Sequence, residues 1–405
     1  MSIRIVNKKN LDVNIIDNYT STVGEPSIGS SKHNTLFTGN WFAVEQDNDT
    51  WRNMNPFDQF PRPQGSFCCD QTVISSRCGN YLFWLLQYSR DGAGNNTLRV
   101  AFQYDNTGDY YWYDLVPHEV NDQWHGEWFD YNHAAITDDY LYIGTNVFRD
   151  RSFTRAVIFR IKLDGIETAL DYDYFDTTNY GSLRCVQGAH NVMYIGTHGN
   201  DTDEIMVFEW PENSDTVDDH RIRVSRTPYW GHSHILPDGN DWLSRCDRRI
   251  TGAWYRNNEI GFMWTAPSSN NKPNPYVRGV RIDTQNWALI DEPDIWHSQY
   301  AFAYPDVSPN SEGVLGITVF AAGDSMYPSH VIGYHDNTKW RLYLGSRGTN
   351  GPSDNKWGDY LTCRNHFDRD SWEAVGFVLE NGSSRDHIVP KYVEFSVAPD
   401  VSPVV

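Results

Sequence analysis

The tetrapeptide Tyr142-Ile143-Gly144-Thr145 returns as Tyr194-Ile195-Gly196-Thr197, 52 residues further on. Each copy closes an apolar run of strand type, Tyr140-Leu141-Tyr142-Ile143 and Met193-Tyr194-Ile195. Such runs, rich in β-branched and aromatic residues, pack well on pleated surfaces. Self-similarity at a spacing of about 40–50 residues is the signature of a β-propeller, in which one four-stranded sheet is repeated around a central channel.

A second and looser series falls into step with the first. An acidic residue followed by a short apolar run recurs at Glu25, Asp70, Asp130, Asp247, Asp306 and Asp359, with Arg184 in the remaining slot. The steps from Glu25 are 45, 60, 54, 63, 59 and 53 residues. The expected fold is therefore all-β, a seven-bladed propeller of four-stranded antiparallel blades filling residues 1–405 as one domain. Either the segment 1–20 or the C-terminal strand Tyr392-Val393-Glu394-Phe395 is expected to close the ring, which would remove two sheet edges. The first strand of each blade lines the channel, so the acidic series is expected to converge at one mouth.

Composition supports this reading. The chain has 15% aromatic residues, including 16 Trp and 24 Tyr, and no long run with helical apolar spacing. Against 33 basic residues stand 53 acidic ones, a net charge of −20. That charge argues against nucleic acid and against anionic membranes, since phosphate binding needs a basic surface. No signal-peptide core and no run of 18 apolar residues occurs. The expected protein is a soluble monomer, secreted if a leader has been removed and cytoplasmic otherwise. The six cysteines lack zinc-ligand spacing and read as buried thiols. Adjacent Cys68 and Cys69 are expected to point to opposite faces of a strand and so not to share a metal.

The runs Phe67-Cys68-Cys69-Asp70-Gln71-Thr72-Val73, Phe83-Trp84-Leu85-Leu86-Gln87-Tyr88, Trp128-Phe129-Asp130-Tyr131 and Trp357-Gly358-Asp359-Tyr360-Leu361-Thr362 resemble those of bacterial sialidase-like propellers. The resemblance implies the propeller fold and a sialidase-like, carbohydrate-directed activity. Asp47-Asn48-Asp49-Thr50-Trp51 is similar to the Asp-box turn of sialidases but lacks its serine and glycine.

Three constellations carry candidate chemistry. Convergent carboxylates repel unless a cation or arginines compensate. A hard cation such as Ca²⁺, which takes about 6–8 oxygens, would suit them, with Glu25 and Asp306 as its ligands. The alternative is that each acid binds backbone N–H groups at its own strand end. For a hydrolase, Asp70, Asp130, Asp247 and Asp359 are the candidate carboxylate pair. For a polysaccharide lyase, His133, His234 or Tyr131 would act as base and acid, with Arg184 or Arg248 neutralising a uronate. Gln71, His232, Tyr304, Trp357 and Tyr360 are expected to line the substrate, and the aromatics Trp128 and Trp230 could stack on sugars. Arg245 and Arg249 flank the acids and could equally pair with them. No phosphate loop, dinucleotide fingerprint or nucleophile elbow appears, so no organic cofactor is expected. The expected partner is a glycan or small molecule. Long irregular stretches at 212–245 and 265–300 favour one asymmetric site, hence an enzyme, over a non-catalytic glycan-binding or protein-interaction propeller with equal blades.

Overall fold

Seven antiparallel sheets of four strands each make up the computed structural model, which describes residues 2–11, 19–47, 50–104, 108–201, 203–226 and 231–398. The seven innermost strands are Ser27–Ser30, Phe67–Ser75, Glu127–Ile136, Arg184–Cys185, Ile250–Arg256, Tyr300–Pro309 and Thr362–Asn365. Each touches the next, and the last touches the first, so the sheets form a closed seven-bladed propeller. Blades one to six each run outward in chain order. In blade seven the chain runs Thr362–Asn365, Trp372–Leu379, Ile388–Ala398, and Ser2–Asn10 is added outside Ile388–Ala398 as the fourth strand. Helix is confined, among the described residues, to the short turns Pro117–Val120 and Arg385–His387. No helix is long and apolar enough to cross a membrane.

The core lies between blades rather than at the axis. Phe83 and Val100 of blade two pack with Ile143 and Phe159 of blade three, and Tyr142, Ile195 and Phe262 join blades three, four and five. Buried tryptophans fill these seams, and two of them bond their N–H groups across the packing, Trp84 to the Gln71 side chain at 2.9 Å and Trp372 to the Ser308 carbonyl at 2.9 Å.

The repeated tetrapeptide has a physical explanation. A Cβ on Gly144 would stand 2.1 Å from the His133 ring, and one on Gly196 would stand 2.2 Å from the Phe262 ring. Each glycine thus admits a ring into a close-packed seam. The threonine that follows has a second task. Thr145 Oγ1 donates to the Asp130 carbonyl at 3.0 Å, and Thr197 Oγ1 to the Gly181 carbonyl at 2.8 Å. In both blades the accepting carbonyl belongs to the residue just before a left-handed one, Tyr131 (φ 58°) or Ser182 (φ 52°).

That left-handed residue is the repeated device of this fold. Glu25, Cys69, Tyr131, Ser182, Tyr304 and Gly358 all adopt positive φ near the start of an inner strand. In blades two, three and six the strand register breaks across it. Such a bulge costs on the order of 1 kcal/mol at a non-glycine residue and re-aims the side chains beside it. Threonines of the neighbouring blade offset this cost. Thr72 Oγ1 donates to the Asn132 carbonyl at 3.0 Å, Thr251 to Pro305 at 2.6 Å and Thr362 to Pro26 at 2.8 Å. Each acceptor directly follows a left-handed residue, so the bulges also tie blade to blade.

Candidate functional site

Four carboxyl groups from blades one, two, three and seven influence one another at the channel mouth where the inner strands begin. Glu25 is the most buried of them, with 4% of its surface exposed. Burial first, then the nearby Asp70 and Asp359 charges, hold its carboxyl well above the usual range, and it shares a hydrogen bond with Asp70. Burial and Asp130 push Asp70 up to about 6, although bonds from Glu25 and Cys69 work the other way. Asp130 is also raised, chiefly by burial, with partial relief from Gln87 Nε2 donating to it at 3.2 Å and from Arg249. Like charges crowded in low dielectric resist ionising together, so burial and mutual repulsion make Glu25, Asp70 and Asp130 hold their protons more tightly than isolated carboxyls do. The directions of shift identify Glu25 as the donor to Asp70.

Two arginines on the turn before blade five balance the remaining charge. Arg245 reaches Asp359 at 3.2 Å, and Arg249 reaches Asp359 at 3.3 Å and Asp247 at 2.7 Å. The Arg249 guanidinium lies over the Tyr131 ring, 4.1 Å from its centroid. Burial pushes the Tyr131 phenol up to about 12, and its hydroxyl has no hydrogen-bond partner. Tyr360 stands edge-on to Tyr131 at 6.3 Å and donates to the Gln71 carbonyl at 3.2 Å. Beside Arg249, a cavity of about 310 Å³ is lined by Tyr180, Ser182, Thr197, His198 and Arg248.

Asp306 does not join this group. It is fully buried and accepts from Arg364 at 2.6 Å, Arg184 at 3.0 Å and the Cys363 N–H at 2.8 Å. This triad links blades four, six and seven inside the channel. His133 lies near the same arginines, which, after burial, hold its imidazole well below the usual range. Of the two expected cation ligands, Glu25 lies at the mouth, whereas both Asp306 oxygens face guanidinium or N–H groups. Among the described residues no three His, Cys, Asp or Glu side chains are grouped to hold a metal.

Other sequence candidates lie in packing positions. Gln71 bonds the Gly39 and Phe42 carbonyls and Trp84, bridging blades one and two. Tyr304 donates to the Trp357 carbonyl at 2.7 Å, and Trp357 itself is fully buried among Phe320, Phe377 and Trp242. His232 bonds the Thr265 carbonyl, and His234 accepts from Trp242, with Asp241 and Asp324 as its charged neighbours. The Arg248 carbonyl accepts from His198 at 2.6 Å. Trp128 donates to the Asp150 carbonyl beneath Arg90, and Trp230 lies outside the described residues.

The thiols depart from expectation. Only Cys185, Cys246 and Cys363 are buried; Cys78 is exposed, and Cys68 and Cys69 are half-buried. Cys68 and Cys69 do not point apart: their Sγ atoms lie 2.6 Å from each other. Strict strand alternation fails because Cys69 has a φ of 58°. Sequence reasoning also missed Arg364. A charged residue in the otherwise apolar run Leu361-Thr362-Cys363-Arg364 signals a buried counter-ion, and Asp306 is that partner.

The opposite end of the channel carries a separate cleft of about 440 Å³, lined by Arg77, His190, Arg256, Asn310 and Arg364 among others.

No protein-family model and no curated protein sequence matches the chain. Among solved structures, it is similar to the Dos1 propeller at 8% identity, over 96% of this chain and 95% of that one, with a TM-score of 0.47. It is similar to a Hadza microbial sialidase, Hz136, at 10% identity over 93% of this chain and 66% of that one, TM-score 0.48. With the Trypanosoma rangeli sialidase it shares 8% identity over 96% of this chain but 59% of that one, TM-score 0.43. The likeness is one of overall shape and assigns no activity to this chain.

Proposed function

We propose that the channel mouth is the active site of a carbohydrate-active enzyme, a glycoside hydrolase. The observation that carries the reading is the group Glu25, Asp70, Asp130 and Asp359: the first three carboxyls are raised above their ordinary range, the fourth pairs with Arg245 and Arg249, and Tyr131 under Arg249 has an unbonded hydroxyl. Perturbed titration at a mouth shared by several blades is the physical mark of acid–base chemistry. Glycoside cleavage needs one carboxylic acid that keeps its proton and one carboxylate that does not. In this reading the Glu25–Asp70 pair protonates the departing oxygen, and Asp130 acts as base or nucleophile. Asp359 holds Arg245 and Arg249 in position, and Arg249 receives an acidic group of the sugar in the adjoining cavity.

A lyase is less well supported. Of its candidate acid and base groups, His133 and His234 are tied up elsewhere, one behind the buried arginines and one against Trp242, and only Tyr131 stands at the mouth, where burial pushes its phenol up to about 12. Non-catalytic glycan binding is the second reading, favoured by the internal pairing of Asp247 and Asp359 with arginine.

The test is a panel of neutral and acidic glycans assayed for new reducing ends and for absorbance of unsaturated uronate. Reducing ends without the absorbance are expected. Asp130→Asn should lower the rate by at least about 100-fold, the usual weight of a positioned acid–base group, without any loss of thermal stability. Turnover unaffected by that substitution removes Asp130 from the machinery, and binding without turnover across the panel favours the second reading.

A further inference from the structure

Cys68 and Cys69 open the inner strand of blade two, beside the carboxyl group at the mouth. In a regular strand neighbouring side chains diverge. Here the ladder breaks between Phe67 and Gln71, Cys69 is left-handed, and the two Sγ atoms stand 2.6 Å apart. Both residues are half-buried, hence reachable by small solutes. The bulge does for this pair what a regular strand forbids: it brings two adjacent thiols to one side of the backbone.

We propose that Cys68 and Cys69 form a vicinal dithiol which a small-molecule disulfide oxidises to a disulfide closed across the single peptide bond between them. The steps balance as thiol–disulfide exchange. The Cys68 thiolate attacks one sulfur of the small disulfide, and that bond breaks to release one small thiolate, which takes up a proton. The Cys69 thiol then gives up its proton and attacks Cys68 Sγ, releasing the second small thiol. Two protein thiols and one small disulfide become one protein disulfide and two small thiols.

The surroundings suit this order. The contact between the two thiols lowers Cys68 below its ordinary value, while the same contact, then burial and Asp70, raise Cys69. Cys68 is therefore the attacking sulfur, since the thiolate is the nucleophile. Asp70, which accepts from Cys69, stands ready to receive the second proton. The product is reversible in character. Adjacent Cα atoms are held about 3.8 Å apart by a trans peptide, shorter than the roughly 4.4–6.8 Å that relaxed disulfides span. Oxidation also removes a donor from Asp70 and so couples the thiol state to the carboxyl group. This thiol chemistry requires no catalysis at the mouth.

The full chain carrying Cys78→Ser, which removes the exposed thiol, is treated with excess oxidised glutathione, blocked with iodoacetamide and mapped by mass. The expected Cys68–Cys69 peptide is lighter by two hydrogens and carries neither glutathione nor alkyl label. Adding Cys69→Ser should leave glutathione trapped on Cys68. Phenylarsine oxide, which bridges paired thiols, should bind the reduced Cys78→Ser chain one to one, and not after oxidation. A peptide that remains fully alkylated, or that retains glutathione with both cysteines present, overturns the proposal.

Discussion

Asp306 offers the sharpest prediction about what holds this ring together. Its carboxylate is fully buried, 2.6 Å from Arg364 and 3.0 Å from Arg184, and it also accepts the Cys363 N–H at 2.8 Å. Both arginine side chains are less than 10% exposed, so water cannot replace the carboxylate. Asp306→Asn keeps the shape but turns one acceptor into a donor aimed at other donors. It leaves two buried guanidinium charges with a single neutral oxygen. Breaking a buried ion pair from one side costs about 3–5 kcal/mol. With a urea m-value of about 3 kcal/mol/M, the top of the small-protein range, that loss moves the midpoint down by roughly 1 M or more. The proper control is Asp247→Asn. Its ion pair with Arg249 is equally short at 2.7 Å, yet the Asp247 side chain is 42% exposed. An exposed pair is worth about 1 kcal/mol or less, which shifts the midpoint by no more than roughly 0.3 M. Urea unfolding followed by tryptophan fluorescence separates the two. Equal shifts for both variants, or a rise for Asp306→Asn, would refute the view that the triad is a structural link across the channel.

The remaining expectations concern the repeated glycine and the acids of the mouth. Gly196→Ala drives a Cβ to 2.2 Å from the Phe262 ring, whereas Gly92→Ala meets nothing within 4 Å. The first should lose about 1–3 kcal/mol to overpacking and the second close to none, both read from urea midpoints. For Asp70, the folded pKa of about 6 lies above the ordinary 3.8, so the folded state binds more protons between those values. Wild-type stability therefore falls as pH rises from about 4 through 6, and the full penalty is present above 6. Asp70→Asn removes an ionisable group and should be more stable than wild type at pH 7.5, on the order of 1–3 kcal/mol, with no such gain at pH 4. A gain of equal size at both pH values would contradict the crowded-carboxyl account.

Much of the architecture could be read from residues because a blade repeats its physics. Tyr142-Ile143-Gly144-Thr145 and Tyr194-Ile195-Gly196-Thr197 solve one problem twice, a ring over a glycine and a hydroxyl on a bulge carbonyl. The acidic series was a rougher guide. Asp70 and Asp359 follow their left-handed residue directly, Asp130 precedes its own, and Glu25 is one; all four meet at the mouth. Asp306 comes two residues after Tyr304, deeper along its strand, and meets arginines inside the channel. Asp247 precedes its strand Ile250–Arg256 altogether and stays half-exposed. A shift of one or two positions decides such outcomes, and residue spacing near 50 does not resolve it. His232 and His234 have the spacing of one strand face, but the chain there is a turn-rich connection whose ring nitrogens meet Thr265 and Trp242. Cys68 and Cys69 depart from strand alternation for a related reason: alternation assumes regular φ, and the bulge at Cys69 removes it.

The account rests on which end of the channel handles a ligand, and a crystal soaked with a glycan chosen by the activity panel tests that most directly, using Asp130→Asn to prevent turnover. The sugar should lie at the mouth against Asp70, Asn at position 130 and Arg249, with a ring or acidic group in the cavity beside Tyr180 and His198. Density confined to the cleft at the other end, among Arg77, Arg256 and Asn310, would contradict it.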